Sequence, residues 1–178
     1  MAADKHGKVE GTIDTVQDMA GAAVGKATAA MGGGSSEQFV ENAALGDMFE
    51  IRAGEIALRR AAGQPVRELA EEMIKDHRQS QSELQYAMQR STLSDLPSPD
   101  SLDARRQGFI DNLDAAPDSE FDKTYVRQQL AAHEEAVTLF RNYKENGDNT
   151  ELRHFAGETL PVLERHLQHV RQLRDEME

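Results

Sequence analysis

Apolar positions along this chain recur at spacings of three and four over four long stretches, the signature of amphipathic helices, and no stretch alternates with period two for long enough to predict a strand. The first predicted helix runs from Ser36 to Ala62, where Gly63 and Pro65 supply a stop and a restart. A second runs from about Val66 to Arg90. The segment STLSDLPSPDSLDARRQGFIDNLDAAPDSE that follows carries three prolines and several Ser/Asp turn signals, so it predicts a long connection with one short helix around Leu102 to Leu113. A third long helix begins after Pro117, with Asp118 or Ser119 as its cap, and reaches about Glu145; after a turn at Asn146 to Thr150 a fourth continues to the carboxyl end. Residues 1–36 are rich in Gly, Ala and Lys and close with MGGGSSE, which predicts a flexible tail too poor in large apolar groups to bury a core of its own.

A weak internal repeat organises the rest. VRELAEEMI (Val66 to Ile74) aligns with LRHFAGETL (Leu152 to Leu160), with Arg, Ala and Glu at equal spacing, and each opens the second helix of a hairpin. The expected fold is therefore all-α: a ferritin-like four-helix bundle over residues 37–178, made of two antiparallel hairpins joined by a long crossover.

Each inner stripe carries an ionisable group. The first helix places Asp47 and Glu50 among Val40, Ala43, Gly54 and Ala57; the second places His77 among Leu69, Ala70, Met73, Ile74, Leu84 and Met88. The third has His133 between Leu130 and Val137, and the fourth has His166 between Leu163 and Val170. Antiparallel helices of equal rise meet at residues equidistant from their turn. Glu50 and His77 are equidistant from the Gly63–Gln64 step, and His133 and His166 from a point inside the Asn146 to Thr150 turn. All four groups are expected level near the bundle's middle.

One carboxylate and three imidazoles suit Zn, Fe or Mn, and also Cu, so Glu50, His77, His133 and His166 are the expected metal ligands, with Asp47, Glu72 or Asp76 as further ligands or as acceptors behind the imidazoles. A buried Glu/His hydrogen-bond network with water is the alternative, because a core histidine is commonly a structural one. The di-iron pattern of Glu-x-x-His is absent at the inner histidines: Ile74 and Leu163 stand three residues before His77 and His166. His154 and His169 fall at stripe edges, and His6 in the tail. Pro161 removes one backbone hydrogen bond just before His166 and is expected to bend that helix.

Composition narrows the partners. With 178 residues, 38% of them hydrophobic, the chain has room for one core and a tail. A formal net charge of -12 has the wrong sign for a phosphate backbone, so nucleic acid is not an expected partner. There is no cysteine, which leaves nitrogen and oxygen as the ligands of any metal. No signal-peptide h-region or transmembrane run is visible, which reads as cytoplasmic, or as periplasmic if a signal has already been removed. A homo-oligomer is compatible with the pattern. No Gly-rich phosphate loop or Ser/His/Asp arrangement marks an enzyme, and a non-catalytic role is expected.

The run ENAALGDMFEIRAGEIALRRAAGQPVRELAEEMIKDH, with YVRQQLAAHEEAVTLF and ELRHFAGETLPVLERHLQHV, resembles a bacterial ferritin-like family of unknown function whose members are exported proteins. The resemblance covers about residues 37 to 175, rests on Glu50, Asp76, His77, His133, Pro161 and His166, and implies a four-helix bundle without an established activity. DKHGKVEGTIDTVQDMAGAAVGKAT resembles the CsbD-like general stress motif, which implies a stress-associated protein. Three functions follow: a bundle that sequesters or senses a transition metal under stress, a non-catalytic interaction or protective protein with structural histidines, or a metal-dependent oxidoreductase.

Overall fold

The computed structural model describes residues 18–21, 23 and 34–178. Within residues 34–178 five helices follow in order: α1 (Ser36–Arg60), α2 (Gln64–Arg90), α3 (Ala104–Ala115), α4 (Phe121–Asn146) and α5 (Thr150–Met177). Among the described residues there is no strand, and no helix is long and apolar enough to cross a membrane.

Local chemistry explains the helix ends. Asn149 caps α5 by accepting from the backbone N–H groups of Glu151 and Leu152, and Asp103 caps α3 by accepting from that of Arg106 at 2.7 Å. Pro65 lies in the first turn of α2, where its missing N–H costs nothing, so α2 starts ahead of the expected Val66. Helix α1 ends at Arg60, short of Ala62, where Ala61 turns to extended geometry at φ -58° and ψ 133°, and the Arg60 guanidinium donates to the carbonyls of Leu113, Asp114 and Ala116. The cap expected at Asp118 or Ser119 is not used. Residues 117–120 form a turn closed by the Glu120 N–H to the Pro117 carbonyl, and Asp118 instead pairs with Arg60.

Helices α1 and α2 form one antiparallel hairpin and α4 and α5 the other; α2 packs on α5 and α1 on α4. The ends fix the directions. The Asp122 carboxylate at the start of α4 accepts from the backbone of Ala62 and Gly63 at the α1–α2 turn, while Ser36 at the start of α1 donates to Asp148 beside the α4–α5 turn. Both α1 and α5 therefore run one way and α2 and α4 the other, and the crossover through α3 returns the full length of the bundle. This is the two-hairpin bundle that the sequence predicts.

The apolar core is in two parts. One gathers Phe49, Leu69, Met73, Ile110, Phe121 and Tyr125; the other gathers Phe39, Leu84, Phe140, Tyr143, Leu152 and Phe155, with Phe39 stacked on Tyr143 at 3.9 Å. In the chain, His77, His133 and His166 fall between members of the two clusters, so a polar layer divides the core. Gly54 lets α1 and α2 approach closely: a Cβ there would lie 2.8 Å from Ile74 Cγ1 and 3.2 Å from the Ala70 carbonyl.

Most of residues 1–36, including most of the stress-motif resemblance, lies outside the described residues. Residues 18–21 are helical, and the Asp18 carboxylate is buried, accepting from Asn112 at 2.9 Å and from Gln128 at 3.1 Å, with Arg127 at 3.3 Å.

Candidate metal centre

The polar layer brings three imidazoles together. Heptad spacing puts His77, His133 and His166 on the inner faces of α2, α4 and α5, and they are 5%, 1% and 1% exposed. Ring centroids are 5.7 Å apart for His77–His133 and for His77–His166, and 5.4 Å for His133–His166. One ring nitrogen of each lies within 4.8 Å of the others.

Each imidazole spends one nitrogen on an outer partner. His77 Nδ1 is 2.7 Å from Asp47 Oδ1, His133 Nδ1 donates to the Gln129 carbonyl at 2.9 Å, and His166 Nε2 is 3.0 Å from Asp76 Oδ2. The other nitrogens, His77 Nε2, His133 Nε2 and His166 Nδ1, are buried and have no hydrogen-bond partner among the described residues. An outer acceptor fixes the tautomer and the ring's orientation, and leaves the opposite nitrogen's lone pair available to a cation. A cluster of unpaired buried nitrogens is otherwise costly.

Electrostatics follow from burial and neighbours. Burial holds His133 well below the ordinary histidine range, helped by the charge of His77, and burial likewise lowers His166. At His77 burial pulls down, but the hydrogen bond and charge of Asp47 outweigh it and hold the imidazole above its usual value. Asp47 is itself pushed up by burial against the pull of His77. Burial lifts the Glu50 carboxyl to about 7. Burial thus favours the neutral, ligating form at His133 and His166, while Asp47 favours the protonated form of His77, with which a metal would compete.

Of the four expected ligands the structure gathers three. Glu50 is buried on α1 beside them, with Oε1 3.6 Å from His133 Nδ1, but that nitrogen already serves the Gln129 carbonyl and Glu50 is not in the 4.8 Å group. Asp47 and Asp76 stand behind the imidazoles as acceptors. Glu72, with Asp76 and His166, makes a second group on the outer side, half-exposed, where Glu72 bonds His169 at 3.0 Å and Arg165 reaches Asp76 at 3.2 Å. His154 is exposed and pairs with Glu158; His6 lies outside the described residues.

A cavity of about 40 Å³ adjoins the centre, bordered by Asp47, Glu50, His77 and His133. Its far wall comes from the crossover helix, which sequence reasoning left without a role. There Arg105 and Arg106 share Glu135 at 2.7 and 3.0 Å, and Arg106 also pairs with Asp103. The adjacent arginines opposite a lone inner glutamate were the available signal. The Gln129 carbonyl left none, since any residue supplies one.

No curated protein shows significant similarity to the chain. Among solved structures, one titled CopM in the Cu(II)-bound form is similar in fold, with a TM-score of 0.68 and 20% sequence identity, over 81% of this chain and 98% of that one. The chain belongs to the family described as Domain of unknown function (DUF4142), whose model matches residues 21–173.

Proposed function

We propose that the bundle binds one transition-metal ion between His77, His133 and His166, and that its role is to hold that metal, with Cu(II) the first candidate. The reading is carried by one observation: three imidazoles from three helices, each anchored behind, each with a buried nitrogen that no group among the described residues engages. An all-imidazole set suits copper and zinc, and the similar fold of CopM, titled as Cu(II)-bound, makes copper the metal to try before Zn, Fe or Mn. Glu50 is kept as a neighbouring carboxylate that can ligate after a side-chain rotation. A stress-associated role rests on the amino-terminal resemblance.

The metal-free reading has its own support, since the Asp47–His77 pair satisfies two buried groups without any ion. It leaves three nitrogens without partners among the described residues. Titrating chelator-treated, untagged protein with Cu(II), followed by electron paramagnetic resonance and elemental analysis, separates the two. One tightly held equivalent with nitrogen couplings, lost in His166→Ala, is expected; no retained copper would favour the structural network.

A further inference from the structure

Outside the histidine layer, the face where α2 meets α5 carries a second set of metal-ligating groups. Glu72 and Asp76 are four residues apart on α2, and His166 and His169 three apart on α5, spacings that put each pair on one face of its helix. Across the helix pair, His166 Nε2 lies 3.0 Å from Asp76 Oδ2 and 4.0 Å from Glu72 Oε1, and His169 Nδ1 lies 3.0 Å from Glu72 Oε2. One oxygen of each carboxylate and one nitrogen of His166 fall within 4.8 Å of one another. Unlike the buried trio, this group is within reach of solvent. Glu72, Asp76 and His169 are half-exposed, and a groove of about 390 Å³ bordered by Asp76, Glu83, Glu158 and Arg165 runs beside them.

We propose that Glu72, Asp76, His166 and His169 form a second, solvent-facing metal site that takes a divalent ion of the zinc type. Two carboxylates and two imidazoles are a set that zinc accepts, in contrast to the all-imidazole trio inside. The surroundings favour a cation. Arg165 is the cation seated there now, its guanidinium 3.2 Å from Asp76 Oδ2 and 3.8 Å from Glu72 Oε1. Its side chain is more than half exposed, so its hold on the two carboxylates is weak and a metal displaces it at small cost. Lys75 comes only to the other oxygen of Asp76, at 4.0 Å, while Glu83 and Glu158 add negative charge along the groove. Because Arg165 and water compete for the same oxygens, the ion is held more weakly than in the trio and exchanges with solution. His166 belongs to both groups, through Nε2 outside and Nδ1 inside. A neutral imidazole has one lone pair, so the ring serves one ion at a time and the outer site is strongest when the trio is empty.

Zinc is the probe, titrated calorimetrically into the full, untagged, chelator-treated chain carrying His77→Ala, which disables the trio and leaves all four outer groups in place. One saturable equivalent is expected. Glu72→Gln and His169→Ala, each added to His77→Ala, should weaken it by at least the roughly tenfold that losing even an outer partner of a metal site costs. Arg165→Gln, added in the same way, removes the competing cation and should tighten it, a gain that a plain ion-pair network does not give. Circular dichroism establishes that each protein is folded, and if His77→Ala is not, His133→Ala takes its place. No saturable zinc binding in the folded background, or an affinity that Glu72→Gln and His169→Ala leave unchanged, would overturn the inference. The trio is tested separately by copper in the wild type, and its failure there leaves this site standing, since neither Glu72 nor His169 is among the inner ligands.

Discussion

His77 Nδ1 lies 2.7 Å from Asp47 Oδ1, and both residues are at least nine-tenths buried between α1 and α2. That bond points the opposite nitrogen, Nε2, away from Asp47 and toward the layer shared with His133 and His166. Loss of such an acceptor costs a metal site about 10–100-fold in affinity without removing a ligand. Asp47→Ala should therefore weaken copper binding by about that factor while retaining one-to-one stoichiometry, which isothermal titration would read directly. Unchanged affinity would mean that Asp47 serves packing alone.

A second prediction concerns pH. Glu50 in the metal-free protein has its carboxyl lifted by burial from 4.5 to about 7. A folded-state value above the unfolded one gives stability that is fully present below 4.5 and lost as pH rises through about 7. Glu50→Gln, which never ionises, should gain on the wild type between pH 5 and pH 8, by up to about 3 kcal/mol. Denaturant titrations of both proteins across that range, with chelator present, check it; a constant difference would show that Glu50 titrates normally.

The two glycines of α1 make opposite predictions for alanine. Gly54→Ala pushes a methyl against Ile74 and the Ala70 carbonyl and should cost roughly 1–3 kcal/mol. Gly46→Ala meets open space and should raise stability by about 0.5–1 kcal/mol. Thermal melts of the pair decide, and the same sign for both would contradict the packing described between α1 and α2.

Asp18 changes what truncation should do. The composition of residues 1–36 predicts that their removal leaves the melting temperature nearly unchanged, yet the Asp18 carboxylate is 4% exposed and bonds Asn112 and Gln128. Removing one partner of buried hydrogen bonds costs about 1–3 kcal/mol. Asp18→Ala should lower the melting temperature by several degrees, at roughly 2–4 °C per kcal/mol. No change would restore the simpler view of that segment.

Much of this was legible in the sequence, for a physical reason. Helical periodicity fixes which residues share a face, and equal rise fixes their level, so His77, His133 and His166 could be placed together from Gly63, Pro65 and the Asn146 to Thr150 turn. Rotation about a helix axis is not fixed so finely. Asp47 and Glu50 are three residues apart on one stripe, and only packing decides that Asp47 bonds His77 while Glu50 turns toward the Nδ1 side of His133. Docking of α3 was invisible for a different reason: Arg106 is buried by its pairing with Glu135, an interaction between segments that local pattern cannot foresee. Helix starts at Phe121 and Gln64 depended on turn and proline chemistry within two or three residues, finer than periodicity resolves.

Calorimetric melting tests whether His77, His133 and His166 hold a transition metal. Untagged, chelator-treated wild type and His77→Ala are melted with and without Cu(II), and with Zn, Mn and Fe(II) in parallel, and metal content is measured on the same samples. A ligand at about 100 times its dissociation constant stabilises by about 2.7 kcal/mol, so wild type with copper should melt roughly 5–10 °C higher and retain one equivalent, while His77→Ala should show little of either. Superimposable melting curves for the wild type under every condition, with no metal retained, would contradict the account.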